Sequence, residues 1–174
     1  EDFEGDTFKL TFTQNTPPSA TTTDPQPQVI PVAVGLLAPD GSETMGTQVL
    51  EVTKATQTFT FTGQKERPVA SVLRGFSAPV VIDHKADNAF LLAHATAPFN
   101  RWQAGDTLAE ASLIATITRG KPVDPAYLDG LSKIIGDESL DPAYRTLMLD
   151  FPNGAELATK LHAIGEIPDP DAIW

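Results

Sequence analysis

The chain changes its periodicity once, near Pro98, and that change sets what it can fold into. Before it, apolar residues recur every second position. In "DTFKLTFTQ", Phe8, Leu10 and Phe12 alternate with Thr7, Lys9, Thr11 and Thr13, the pattern of a strand with one buried face. Further strands are predicted at 29–38, 47–53, 57–63, 69–76, 80–84 and 88–95, with a turn at "PDGSE" (39–43) and a loop at 15–28 that holds four prolines. Short strands separated by turns predict an antiparallel β-sandwich. After Pro98 the spacing becomes helical: Phe99, Trp102, Ala109, Leu113 and Ile117 fall roughly three to four apart or multiples of that, so one apolar stripe is expected on one helix.

Cap chemistry then divides the second half. "DPAY" occurs at 124–127 and again at 141–144, each time with Asp as cap and Pro at the first helical position. The first of these helices is expected to end at Gly136 in a left-handed cap. Asn153 and Glu156 have capping-box spacing and open another helix that stops before Gly165. Consecutive short helices with tight connections form antiparallel pairs. The expected organisation is a sandwich over 1–97 and an all-α segment over 98–174. Both ends read as cut: strand alternation begins almost at once, and "PDPDAIW" announces a helix too short to be stable alone, so a piece of a longer chain is expected.

Charge excludes some partners. There are 12 Lys and Arg against 23 Asp and Glu, a net charge of -11, and no basic stripe, so nucleic acid is not an expected partner. No apolar run approaches the roughly 18 residues of a membrane span. Cysteine is absent, which rules out disulfides and thiolate zinc sites and fits a cytoplasmic protein.

One stretch tempts a catalytic reading. "APVVIDHKADNAFLLAH" (78–94) contains Asp83, His84, Asp87 and His94, residue types that bind zinc or act as general bases. As strands, though, the stretch puts His94 on a face shared with Phe90 and Leu92, and leaves Asp87 and Asn88 as a turn. A hairpin ending in a hydrogen-bonded histidine is therefore expected, with no metal bound. Arg74, between Leu73 and Gly75 in a predicted strand, is expected to be structural, its guanidinium held by carbonyls or a carboxylate. Phe76, Phe99 and Trp102 are expected in the core or at the junction of the two halves. Tyr127 and Tyr144 should pack between helices.

These residues also carry a resemblance. "ASVLRGFSAPV" (70–80) followed by "HATAPFNRWQAGDTL" (94–108), with "TFKLTFTQNTPP", "IPVAVGLL" and "TFTFTG" in order before it, resembles bacterial aminopeptidase N, the alanyl aminopeptidases of the gluzincin class. The resemblance implies an Ig-like β-sandwich and the start of a C-terminal domain of paired helices, lying beyond a zinc-bearing catalytic domain. Ala95, Ala97 and Gln103 depart from the acidic residues common there. The family's H-E-x-x-H zinc motif and its Gly-x-Met-Glu-Asn motif for the substrate amine are both absent, since His84, His94 and His162 precede Lys85, Ala95 and Ala163. No catalytic residue carries over.

The expected role is non-catalytic: the sandwich positions the helices over the active site of a zinc aminopeptidase that removes N-terminal residues. Zinc and peptide substrates then belong to the parent enzyme, and the catalytic domain of the same chain is the partner. A stand-alone module that binds protein or another ligand at its loops is the alternative, and would show clustered loop aromatics. The first 97 residues contain neither Trp nor Tyr.

Overall fold

Six strands form, numbered in chain order: β1 (Asp2–Glu4), β2 (Thr7–Thr13), β3 (Ile30–Leu37), β4 (Glu43–Val52), β5 (Thr56–Phe61) and β6 (Val69–Val72). They make two antiparallel three-stranded sheets, ordered β1-β2-β5 and β4-β3-β6. The molecule is described here by a computed structural model covering residues 1–173; its contacts divide the chain into two compact units, Glu1–Ala86 and Asp87–Trp174.

Alternation places the first sheet. Phe8 and Leu10 of β2 are buried while Lys9 and Thr11 look outward, and Phe12 meets Phe59 of β5 edge-on at 6.0 Å. On the outer face Thr11 and Thr58 share a hydroxyl hydrogen bond of 2.9 Å. The central strand β3 is buried from Val32 to Leu37, because the inner sheet face and the turn after β6 cover both of its sides. Its register with β4 shifts between Val34 and Leu36, a bulge around Gly35 that matters below. Phe8, Val34, Leu36 and Val52 centre the core, each contributing about 1.5–3 kcal/mol by burial. Gln64 links the layers: its backbone amide donates to the carbonyl of Asp6 at 2.9 Å, and Thr44 donates its hydroxyl to the Gln64 Oε1 at 2.8 Å.

The loop over 15–28 is closed at its base by one side chain. Gln14 Nε2 donates to the carbonyl of Gln28 at 2.8 Å, and the Gln28 amide donates back to Gln14 Oε1 at 2.9 Å.

The helices are α1 (Asn88–His94), α2 (Pro98–Arg119), α3 (Pro125–Gly136), α4 (Pro142–Leu147), α5 (Gly154–Ala163) and α6 (Pro170–Ile173). The N-terminal caps of α3, α4 and α5 fall where the sequence puts them. Asp124 accepts from the amide of Ala126, Asp141 from those of Ala143 and Tyr144, and Asn153 with Glu156 completes a capping box. Tyr127 is buried and meets Phe151 edge-on, while the Tyr144 hydroxyl donates to the carbonyl of Pro98 at 2.8 Å, joining α4 to the start of α2.

Four readings are corrected. Residues 80–84 make no strand; Val80 packs against the sandwich core while Val81 faces solvent. The predicted strand at 88–95 is instead helix α1 over Asn88–His94, which Asp87 caps by accepting from the Phe90 amide at 2.9 Å, and the helical unit accordingly begins before residue 98. Gly136 is the last residue of α3, without a left-handed backbone; that role falls to Gly120, which ends α2 at φ 60°. The buried face of α2 is Ala104, Gly105, Ala109 and Ser112 with Asn100, not the large apolar stripe. Small residues let helices approach closely, so here the packing face is the one with least hydrophobic bulk.

Candidate functional site

Arg74 is the buried charged residue among those described, with 5 % of its surface exposed. Strand β6 stops at Val72, and Leu73 turns the chain with φ 57°. Arg74–Phe76 then forms a 3-10 turn instead of continuing the strand, which corrects the strand reading of this residue. The guanidinium folds back over Gly35. Nη1 donates to Glu43 Oε1 at 2.6 Å and to the Thr47 hydroxyl at 3.0 Å, while Nε and Nη2 are buried with no acceptor among the described residues. Neighbouring Ser77 accepts from the Ala33 amide at 2.8 Å, so the turn is tied to β4 through Arg74 and to β3 through Ser77. Phe76, next to this buried cation, is itself 59 % exposed.

Below the turn an apolar cleft of about 570 Å³ opens in the sandwich, lined by Phe12, Ile30, Val52, Leu73, Ala78 and Val80 among others. It offers shape and apolar surface, but no grouping of nucleophile and base.

The tempting histidines are separated into different tasks. His84 Nε2 lies 2.8 Å from Glu1 Oε1, and this hydrogen bond holds the Glu1 carboxyl below its ordinary value against the opposing effect of burial. Asp87 caps α1, and the His94 ring lies 4.8 Å from that of Phe90. Among the described residues no three His, Asp or Glu side chains converge in a metal-binding group.

In the helical unit the rings of Phe99 and Trp102 are 5.8 Å apart. Trp102 borders a cavity of about 320 Å³ with Asp106, Asp150, Phe151, Glu156 and Lys160. Lys160 pairs with Glu110. Burial raises the Asp106 carboxyl above its ordinary value; Lys160 opposes this, and Glu110, Glu156 and Asp150 add to it. The folded state therefore holds the Asp106 proton more readily than the unfolded one. Stability then falls as pH rises from the ordinary carboxyl value through the raised one, and the penalty is complete above it. Asp106→Asn should accordingly melt higher than the parent chain at neutral pH, with the difference shrinking in acid. Thermal melts at several pH values check this, and a variant that melts lower at neutral pH would contradict it.

Residues 1–85 match the family described as a domain of unknown function (DUF3458) with an Ig-like fold, and residues 85–174 match its companion DUF3458_C, described as ARM repeats. The chain belongs to this paired family. Its curated relatives include aminopeptidase N of Caulobacter vibrioides, 37% identical over 81% of this chain and 16% of that protein. Aminopeptidase N of Escherichia coli is 32% identical over 98% of this chain and 21% of that protein. Among solved structures, Legionella pneumophila aminopeptidase A in complex with aspartic acid superposes with a TM-score of 0.72 at 26% identity, covering 88% of this chain and 18% of that one. The resemblance to aminopeptidase N is thus shown, as is the order of Ig-like domain and helical domain. This DUF3458 chain spans about a fifth of the length of the curated relatives it matches.

The zinc implied for such enzymes does not fit the donors present here, since the histidines of the 78–94 stretch are engaged singly and none is followed by the glutamate of H-E-x-x-H. Sequence reasoning found Arg74 but missed Gly35, Glu43 and Thr47 around it. Nothing local marks them: they lie on other strands and meet Arg74 only through the bulge. No helix among the described residues is long and apolar enough to cross a membrane.

Proposed function

We propose that this chain is the non-catalytic part of a zinc-dependent, cytoplasmic aminopeptidase that removes N-terminal residues from peptides. In this reading the Ig-like unit and the helices serve as architecture that positions the helical domain over the active site, and the catalytic domain of the same polypeptide is the partner. Arg74 acts by fixing the turn after β6, and Phe99 and Trp102 act as structural aromatics of the helical unit. The observation that carries the reading is the near end-to-end match of this chain to about a fifth of aminopeptidase N, together with a sequence that lacks the family's zinc and amine-binding motifs.

The 174-residue chain should bind no stoichiometric zinc and should not hydrolyse aminoacyl arylamides. Elemental analysis showing about one tightly held zinc per chain, or activity lost on mutating His84 or His94, would overturn the reading. The reading frame that encodes the chain should contain H-E-x-x-H upstream. A stand-alone binding module would instead come from a frame without that motif.

A further inference from the structure

We infer that Asn153 is a site of spontaneous deamidation through the amide of Gly154, and that the capping box of α5 sets its rate. Of the asparagines, Asn15, Asn88, Asn100 and Asn153, the last alone precedes a glycine. Glycine matters there because the reaction runs through the backbone amide of the next residue, which a Cβ would crowd. The Gly154 nitrogen attacks Cγ of Asn153 and a C–N bond forms. The carboxamide C–N bond breaks, and ammonia leaves with the proton that the Gly154 nitrogen gives up. Water then opens the resulting succinimide at either carbonyl. One opening leaves an ordinary aspartyl residue; the other leaves an isoaspartyl linkage, with Cβ inserted into the main chain.

The fold presents both reactants and restrains them. Asn153 is exposed, and Gly154, as the first residue of α5, has an amide with no acceptor inside the helix. Asn153 Oδ1 accepts from the amides of Ala155 and Glu156, both at 3.1 Å, which polarises the carbonyl under attack. The same cap holds ring closure back. The Asn153 backbone is extended, with ψ 165°, a setting at which a flat ring through Cγ and the Gly154 nitrogen does not close. Glu156 Oε2 holds it there by accepting from the Asn153 amide at 3.0 Å. Asn153 therefore has to leave the cap before it reacts. The two products then differ in their effect on α5. An aspartyl carboxylate caps as well as asparagine does. An isoaspartyl linkage lengthens the main chain between two anchored residues, Phe151, whose ring meets Tyr127 edge-on, and Leu157, which is buried. The helix that Lys160 pairs to Glu110 of α2 thereby loses its start.

The test ages the 174-residue chain at physiological temperature and neutral pH. Peptide mapping, with methyl transfer from S-adenosylmethionine by an isoaspartyl carboxyl methyltransferase, should find ammonia loss and isoaspartate at Asn153 ahead of every other asparagine. Gly154→Ala, which suits a helix, should slow the reaction by about an order of magnitude. Glu156→Ala should speed it about two- to fivefold, the change in uncapped population that a typical cap corresponds to. Asn153→Ser keeps a capping oxygen without a carboxamide and should abolish the signal while α5 stays protected from hydrogen exchange. Earlier modification at Asn15, Asn88 or Asn100, or a Gly154→Ala chain that reacts as fast as the parent, would overturn the site. Equal rates in the parent and Glu156→Ala chains would overturn control by the cap. The isoaspartyl form, separated from the aspartyl one, should exchange its α5 amides faster, and equal protection in the two would refute the effect on the helix.

Discussion

Arg74→Ala should lower the unfolding free energy by about 2–5 kcal/mol, the range for breaking a buried charged pair and stranding what it held. Gly35→Ala should do comparable damage by a different route. The backbone at Gly35 is not left-handed, so no conformational rule demands glycine there. Its space is demanded by Arg74: a Cβ at residue 35 would stand 2.0 Å from the guanidinium carbon and 2.2–2.3 Å from its terminal nitrogens. Since the guanidinium is held by Glu43 and Thr47, it cannot slide aside without losing both bonds. The double variant decides the matter. Once Arg74 is alanine, adding Gly35→Ala should cost nothing and should return about 0.5–1 kcal/mol, the usual advantage of alanine over glycine in a strand. Denaturant unfolding of the four proteins measures this cycle. Additive losses, or an Arg74→Ala effect below about 0.5 kcal/mol, would mean that the two residues do not form one unit.

Leu92→Ala should destabilise the helical unit by about 2–5 kcal/mol. Leu92 is fully buried, and two glycines make its socket. A Cβ on Gly130 of α3 would approach Leu92 Cδ2 to 2.5 Å, and one on Gly105 of α2 would approach Cδ1 to 3.1 Å. Glycine inside a helix is normally about 1 kcal/mol worse than alanine, so Gly130→Ala would stabilise an ordinary helix. Here it should destabilise by about 1–3 kcal/mol through overpacking. Combining it with Leu92→Ala should restore part of the loss, because the new methyl enters the space the leucine left. If Gly130→Ala raises the melting midpoint in the parent chain, the socket is looser than these distances require.

Both pairs show why the sequence reading went only so far. Alternation in β2 and the Asp-Pro starts of α3 and α4 are local signals, and the structure follows them. Gly35 and Gly130 are spaces shaped for a side chain far away in sequence, so no window around either residue can reveal them. Arg74 lies in a turn where the sequence predicts a strand, because the turn beginning at Leu73 requires a left-handed leucine that propensity argues against. The error at 88–95 was of another kind. A short apolar run fits either period, and the deciding residue, Asp87, was read as a turn when its carboxylate was free to cap a helix. The site suffered most: the exposed Phe76 and the raised Asp106 both depend on neighbours that only folding brings near.

The amide clasp between Gln14 and Gln28 has a consequence for engineering. Because a side chain already ties the two ends of the 15–28 loop together, its closure does not depend on what lies at the tip of the loop, beyond the residues next to the clasp that line the cleft. Doubling the length of such a closed loop adds only about 0.6 kcal/mol of closure entropy. The proline-rich segment is therefore a natural graft port, where an epitope, a fluorophore-binding peptide or a tether could be inserted while Gln14 and Gln28 keep the hem sewn.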